Sequence, residues 1–298
     1  MIFDIKRFAI NDGPGIRVTF FLKGCPLRCV WCHNPEGISP RPQLLFNQKK
    51  CIGCDTCLDV CQQHLDPRRD RHAANTPCLL CGNCAMSCPT SALELAGREW
   101  TIQDIMKVVE KERSVIDTSG GGVTICGGEP LMHPAETLAI LRELGQHGLH
   151  RCVDTTLYAS EKVVHEVGNE CELFLVDLKH MDSDMHLRYT GVRNEQILNN
   201  IKLVSQQAHP FWIRIPLIVG VNADVANLTA SARFLASLPH KPQVVNLLVY
   251  HDAAIGKHDR IGSCFNPDNI DMRPPTDDEQ HAALQIFLNE GLEAKIGG

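Results

Sequence analysis

The 298-residue chain is 44% hydrophobic and 21% charged with a formal charge of −6, the balance of a globular protein with room for one large α/β domain and a small satellite. The negative charge argues against a nucleic-acid or membrane-surface partner. Charges begin at Asp4 and no apolar run approaches a membrane span, with Arg214 interrupting the best candidate, so neither a signal peptide nor a spanning helix is expected and the 15 cysteines read as cytoplasmic thiols kept for metal or catalysis. Residues 17–23 form an apolar run that predicts the first strand. After a cysteine-rich stretch, a helix is predicted over 101–113, with Ile102, Ile105, Met106 and Val109 on one face. Strand and helix then alternate: strand 123–126, helix 134–147, strand 151–155, helix 160–167, strand 173–178, helix 195–207, strand 212–217, helix 225–238, strand 244–250 and helix 278–290. Apolar strands separated by helices predict a parallel sheet with covered faces. Six strand–helix units suit a partial barrel, and a doubly wound open sheet is the alternative.

Cys25, Cys29 and Cys32 follow the first strand in a CxxxCxxC arrangement. Three thiolates can hold three irons of a [4Fe–4S] cube, whose usual complement is four cysteines. The fourth iron is then open to another molecule, as a catalytic metal site keeps one position open. Chance alone would place this spacing in such a chain about 4% of the time, so the neighbouring residues must carry the argument. A second stretch holds Cys51-Cys54-Cys57-Cys61 and Cys78-Cys81-Cys84-Cys88, each a CxxCxxCxxxC run. Pro89 follows Cys88, and Gln62 stands in the equivalent place after Cys61. This is the bacterial ferredoxin pattern, in which the fourth cysteine of each run serves the other cluster. By that rule Cys51, Cys54, Cys57 and Cys88 hold one [4Fe–4S] cluster, and Cys61, Cys78, Cys81 and Cys84 hold another. Two Cys₄ zinc sites are the rival, although zinc pairs usually stand farther apart in sequence. The expected organisation is a partial barrel from residues 1–48 and 98–298, with a ferredoxin-type insert over 49–97.

The conspicuous residues fall at strand ends: Cys25 after the first, Gly127-Gly128-Glu129-Pro130 after the second, Asp154-Thr155 after the third, Asp177-Leu178-Lys179 after the fourth and Tyr250-His251 after the sixth, with Arg214 inside the fifth. In a parallel barrel that end carries the reacting groups. Together with Asp12-Gly-Pro-Gly-Ile-Arg17, Cys32-His33-Asn34-Pro35, Ser119-Gly-Gly-Gly-Val-Thr124, Asp177-Leu-Lys-His180, Tyr189-Thr-Gly-Val192 and Gly220-Val-Asn222, the set resembles the radical S-adenosylmethionine (SAM) superfamily. Within it the match is to the activating enzymes of glycyl radical enzymes, in the longer form with a ferredoxin insert.

The resemblance implies that SAM chelates the open iron of the Cys25/Cys29/Cys32 cluster and is cleaved reductively to methionine and a 5′-deoxyadenosyl radical. That radical removes hydrogen from a backbone glycine of a partner enzyme, of the pyruvate formate-lyase or diol/glycerol dehydratase kind. Trp31 is expected against the adenine, Gly127, Gly128 and Glu129 around the ammonium group, Asp177 and His251 at the ribose, and Lys179 and Arg214 near the carboxylate. Asp154-Thr155 resembles a monovalent-cation site beside SAM, although Thr156-Leu157 follows where shorter members carry Asn-Gly, and Leu175 replaces a Met. Asp12, Gly13 and Gly15 are expected to receive the substrate peptide. The insert would relay electrons from a flavodoxin or ferredoxin, or dock the partner, and the protein would act as a monomer. The rivals are a three-cluster electron carrier without SAM chemistry and a radical SAM enzyme acting on a small molecule.

Overall fold

The computed structural model describes residues 1–72 and 77–298; residues 73–76, within the expected insert, lie outside the described residues. In chain order the backbone forms β1 (Ile2–Ala9), β2 (Arg17–Leu22), β3 (Gln43–Phe46), α1 (Thr56–Asp59), α2 (Asn83–Met86), β4 (Leu93–Ala96), α3 (Ile102–Lys111), α4 (Arg113–Ser119), β5 (Gly122–Gly127), α5 (Pro134–Gln146), β6 (His150–Thr155), α6 (Glu161–Gly168), β7 (Leu173–Asp177), α7 (Ser183–Thr190), α8 (Glu195–Gln206), β8 (Phe211–Leu217), α9 (Val225–Ala236), β9 (Val245–Val249), α10 (Ile255–Ile261), α11 (Asp277–Asn289) and β10 (Ala294–Ile296). Every strand and helix of the six expected units is present, with ends within two residues of expectation.

One sheet runs β1-β2-β5-β6-β7-β8-β9-β10. β1 is antiparallel to β2 and all other pairings are parallel, so the sheet is an open, incomplete barrel flanked by two strands beyond the six expected. Its faces follow from the two-residue period of a strand. Val18, Phe20, Leu22, Val123, Ile125, Val153, Phe174, Val176, Ile213, Ile215, Val245 and Leu247 point outward into the main core. There they meet Ile105, Val109, Leu141, Leu144, Val164, Ile201, Val204, Leu228, Leu235 and Phe287 of the helices. The alternate positions turn inward. Arg17, Thr19, Thr124 and Cys152 are fully buried there, while Cys126, Asp154, Asp177 and Arg214 border the cavity at the C-terminal ends of the strands. One face covered by helices and one enclosing polar groups is a barrel arrangement, not a doubly wound one.

The cysteine-rich stretch projects as a small unit built on the antiparallel pair β3 and β4, register Gln43↔Ala96 to Phe46↔Leu93. Its first strand, β3, therefore begins six residues before the expected boundary at 49. Its own core is small, with Leu44, Cys57 and Leu93 buried and Phe46, Leu58, Leu80 and Ala85 packed against them.

Candidate active site

The first strand positions the cysteine triplet. β2 ends at Leu22, and the chain turns at Gly24 (φ +101°) into Cys25, a backbone angle that suits glycine. Buried Lys23 ties the returning loop down, donating from Nζ to the Glu36 carbonyl (2.5 Å) and to Gln43 Oε1 (3.0 Å). Cys25 N donates to the Ile38 carbonyl (3.1 Å), and Arg28 N and Val30 N donate to the carbonyls of Thr190 and Tyr189. The loop is thus clamped to α7 across the barrel mouth. Gly127 and Gly128 end β5 opposite it. A Cβ on Gly128 would lie 2.2 Å from the Gly24 carbonyl oxygen, so the two loops approach closer than any side chain permits.

Between these loops lies a cavity of about 520 Å³, within the range of small-ligand sites. Cys25, Cys29, Cys32, Trp31, Gly127, Gly128, Asp154, Asp177, Lys179, Arg214 and His251 all border it. The structure therefore gathers most of the expected residues, drawn from positions 25 to 251, around one space. Thr155, expected beside Asp154, is there too, and the structure adds Asn11, His33, Cys126, Thr156, Tyr250, Gly297 and Gly298. Cys126 carried a signal in the sequence, since it directly precedes the glycine pair. Gly297 and Gly298 carried none, because β10 is only three residues long.

The three thiols border the same space. Burial pushes the Cys25 and Cys32 thiols up to about 12 and raises Cys29 as well, against the pull of nearby Lys179. Loading such a site releases protons.

Four charged side chains form the floor. Lys179 Nζ lies 2.9 Å from Asp177 Oδ2. Arg214 Nη1 lies 2.6 Å from Asp154 Oδ2, and its Nε lies 3.9 Å from Asp177 Oδ1. Cys126 Sγ also donates to Asp154 Oδ2, at 2.9 Å. Burial pushes the Asp154 carboxyl up to about 6 despite Arg214, while Lys179 and Arg214 hold Asp177 below the usual carboxylate range in spite of its burial.

Several expected residues have other tasks. Glu129 is fully buried and is not part of the cavity wall. Its Oε1 accepts from Leu131 N (3.0 Å) and Thr155 Oγ1 (2.6 Å), and its Oε2 from Thr156 N (2.7 Å) and Thr156 Oγ1 (2.5 Å). It thus joins the loops after β5 and β6. Asp12, Gly13 and Gly15, in the loop between β1 and β2, also lie outside the cavity wall. Asp12 accepts from Thr19 Oγ1 (2.8 Å). A Cβ on Gly13 would meet Cys152 Sγ at 2.9 Å, and one on Gly15 the Gly121 backbone at 2.5 Å, so packing accounts for both glycines. Asn11 is the member of this loop that reaches the cavity. Trp31 is 6% exposed and packs with Val30, Tyr189, Ile218, Val221 and Tyr250, anchoring its loop while presenting an edge of its surface to the cavity. Exposed His251 stacks on His33, ring centroids 4.3 Å apart.

The cysteine-rich unit has two further cavities. One is bordered by Cys61, Cys78, Cys81 and Cys84 with Leu44, Val60, Leu65 and Leu80; the other by Cys51, Cys54, Cys57 and Cys88 with Phe46, Ile52 and Leu93. Each therefore takes its fourth cysteine from the other run. The runs repeat in detail: left-handed Asp55 and Gly82 introduce α1 and α2, and Leu65 N and Ala92 N donate to Cys61 Sγ and Cys88 Sγ four residues before them.

Residues 19–230 match the radical SAM superfamily. The chain is 34% identical over 306 residues to the trans-4-hydroxy-L-proline dehydratase activating enzyme of Clostridioides difficile, covering 100% of this chain and 99% of that protein. It is 38% identical over 269 residues to the choline trimethylamine-lyase activating enzyme of Oleidesulfovibrio alaskensis, covering 88% and 87%. Among solved structures, a domain of a pyruvate-formate lyase-activating enzyme from Bacteroides vulgatus is 48% identical, with a TM-score of 0.52 over 60% of this chain and 99% of that one. The incomplete barrel, the cysteine triplet at its mouth and these relatives lead to one conclusion: the chain belongs to the radical SAM superfamily, among the activating enzymes of glycyl radical enzymes.

Proposed function

We propose that this activating enzyme carries three [4Fe–4S] clusters, one on Cys25, Cys29 and Cys32 beside a SAM cavity and two in the cysteine-rich unit. The observation that carries the proposal is the crossed grouping of the eight insert cysteines, four to a cavity, with the fourth of each set coming from the other run. The bacterial ferredoxin pattern calls for this exchange, the fourth cysteine of each run serving the other cluster. When bound, the reduced cluster and SAM supply a 5′-deoxyadenosyl radical that takes hydrogen from a glycine Cα of the partner. The chain's own residues hold and orient. Gly127 and Gly128 let the loop after β5 pack against Leu22, Gly24 and Gly37 and present their backbone to the cavity. Asp177 and Lys179 offer an acceptor and a donor beside the thiols. Trp31 and the His33–His251 stack border the same space and supply aromatic surface for adenine.

The partner is a glycyl radical enzyme acting in the manner of a dehydratase or carbon–nitrogen lyase, as the names of the relatives suggest. The insert relays electrons from a cytoplasmic flavodoxin or ferredoxin. Exposed Ile52, Leu79 and Met86 beside its cysteines favour a second reading, in which the insert docks a partner. Reconstituted anaerobically, the protein should bind about twelve irons per chain, and Cys88→Ala should lose about four. With dithionite and SAM it should form 5′-deoxyadenosine, and with the right partner a glycyl-radical doublet in electron paramagnetic resonance. If Cys88→Ala cleaves SAM with flavodoxin as fast as the parent does, the relay is wrong and docking remains.

A further inference from the structure

The monovalent-cation site expected at Asp154 and Thr155 does not fit the residues present. An alkali ion takes oxygen ligands, and two of the candidate oxygens, Asp154 Oδ2 and Thr155 Oγ1, are already engaged. Asp154 Oδ2 receives both Arg214 Nη1, at 2.6 Å, and Cys126 Sγ, at 2.9 Å. Thr155 Oγ1 donates to Glu129 Oε1, at 2.6 Å, and accepts from Leu157 N, at 2.9 Å. Leu175, the third position, is 1% exposed and packs its hydrocarbon with Cys152, Leu173 and Trp212. Meanwhile Arg214 stands where an ion would be needed, since its Nε lies 3.9 Å from Asp177 Oδ1 while its Nη1 holds Asp154. The strand register explains the fit: Arg214 is the direct neighbour of Asp177 on the adjacent strand.

We propose that Arg214 is the built-in cation of this cavity, linking Asp154 to Asp177, so that SAM binding by this enzyme needs no monovalent metal ion. Two close carboxylates in a desolvated site require a positive charge between them. A guanidinium supplies one that is permanent and can serve two acceptors. An alkali ion on Asp154 would then sit within a few ångströms of that fixed positive charge and be repelled. The inference rests on the reading of this cavity as the SAM site.

The test compares the holoenzyme in potassium, sodium and tetramethylammonium chloride at equal ionic strength, the last ion being too large to enter. SAM affinity is measured by anaerobic equilibrium dialysis, and the thermal midpoint is measured on the same samples without SAM. The expected result is that the three affinities agree within about threefold and that neither metal ion raises the midpoint above its value in tetramethylammonium. Arg214→Gln should bind SAM more weakly, with potassium or sodium restoring more than about threefold; Arg214→Lys keeps the positive charge, so neither metal ion should change its SAM affinity by more than about threefold. A saturable potassium or sodium effect above threefold on the parent, or a midpoint raised by either ion, overturns the proposal even if Arg214→Gln does not fold. Absence of SAM binding in every salt would instead sink the reading of the cavity, while the midpoints without SAM still decide the cation question.

Discussion

Replacing Glu129 by Gln separates a residue that binds SAM from one that holds the loops that do. The side chain is fully buried and accepts four hydrogen bonds, two at each oxygen. Glutamine keeps one acceptor oxygen, for Leu131 N and Thr155 Oγ1. Its amide nitrogen then faces Thr156 N, and two donors meet where a bond of 2.7 Å stood. The Thr156 hydroxyl can rotate to accept from the new amide, but the Thr156 N–H cannot. One orphaned buried N–H costs about 1–3 kcal/mol. With a urea slope of about 3 kcal/mol per molar for a chain of this size, the unfolding midpoint should fall by roughly 0.3–1 M. An anaerobic urea titration followed by far-ultraviolet circular dichroism reads this shift. SAM affinity measured without urea should change by less than about threefold. The opposite pattern, an unchanged midpoint with SAM affinity down about tenfold or more, would show that Glu129 meets SAM directly and refute the reasoning.

Two other perturbations follow from the same site. The folded chain keeps the Asp154 proton up to about 6, whereas an unfolded aspartate releases it near 3.8. The folded state therefore binds more protons within this window, and stability should decline from about pH 4 to 6 before levelling off. Asp154→Asn cannot titrate and should remove that slope, so equal slopes for parent and variant across pH 4–6 would contradict the assignment. Gly128→Ala would put a Cβ 2.2 Å from the Gly24 carbonyl oxygen and 2.5 Å from that of Gly37, moving the backbone beside Cys25. It should lose iron from the first cluster and at least about tenfold in SAM affinity. Gly256→Ala, with nothing within 4 Å of its new Cβ, should retain both and change stability by no more than about 1 kcal/mol.

The sequence alone determined the alternation of strand and helix, because a covered parallel sheet writes itself as apolar runs between amphipathic ones. It also determined the three cysteine groups, since cluster ligands need short fixed spacings. The flanking strands were not legible. β1 mixes charges into its apolar positions and turns left-handed at Phe8, its penultimate residue, while β10 spans three residues, too few for any period to register. Roles within the site were less legible still. Sequence puts Glu129 and Asp154 near strand ends and Arg214 inside a strand without saying which way each head turns. Only the packed barrel gave Glu129 to the threonines of the next loop and set Arg214 between two carboxylates. Those choices depend on strand register and on which buried donors lack another acceptor, and both are properties of neighbours brought together from distant parts of the chain.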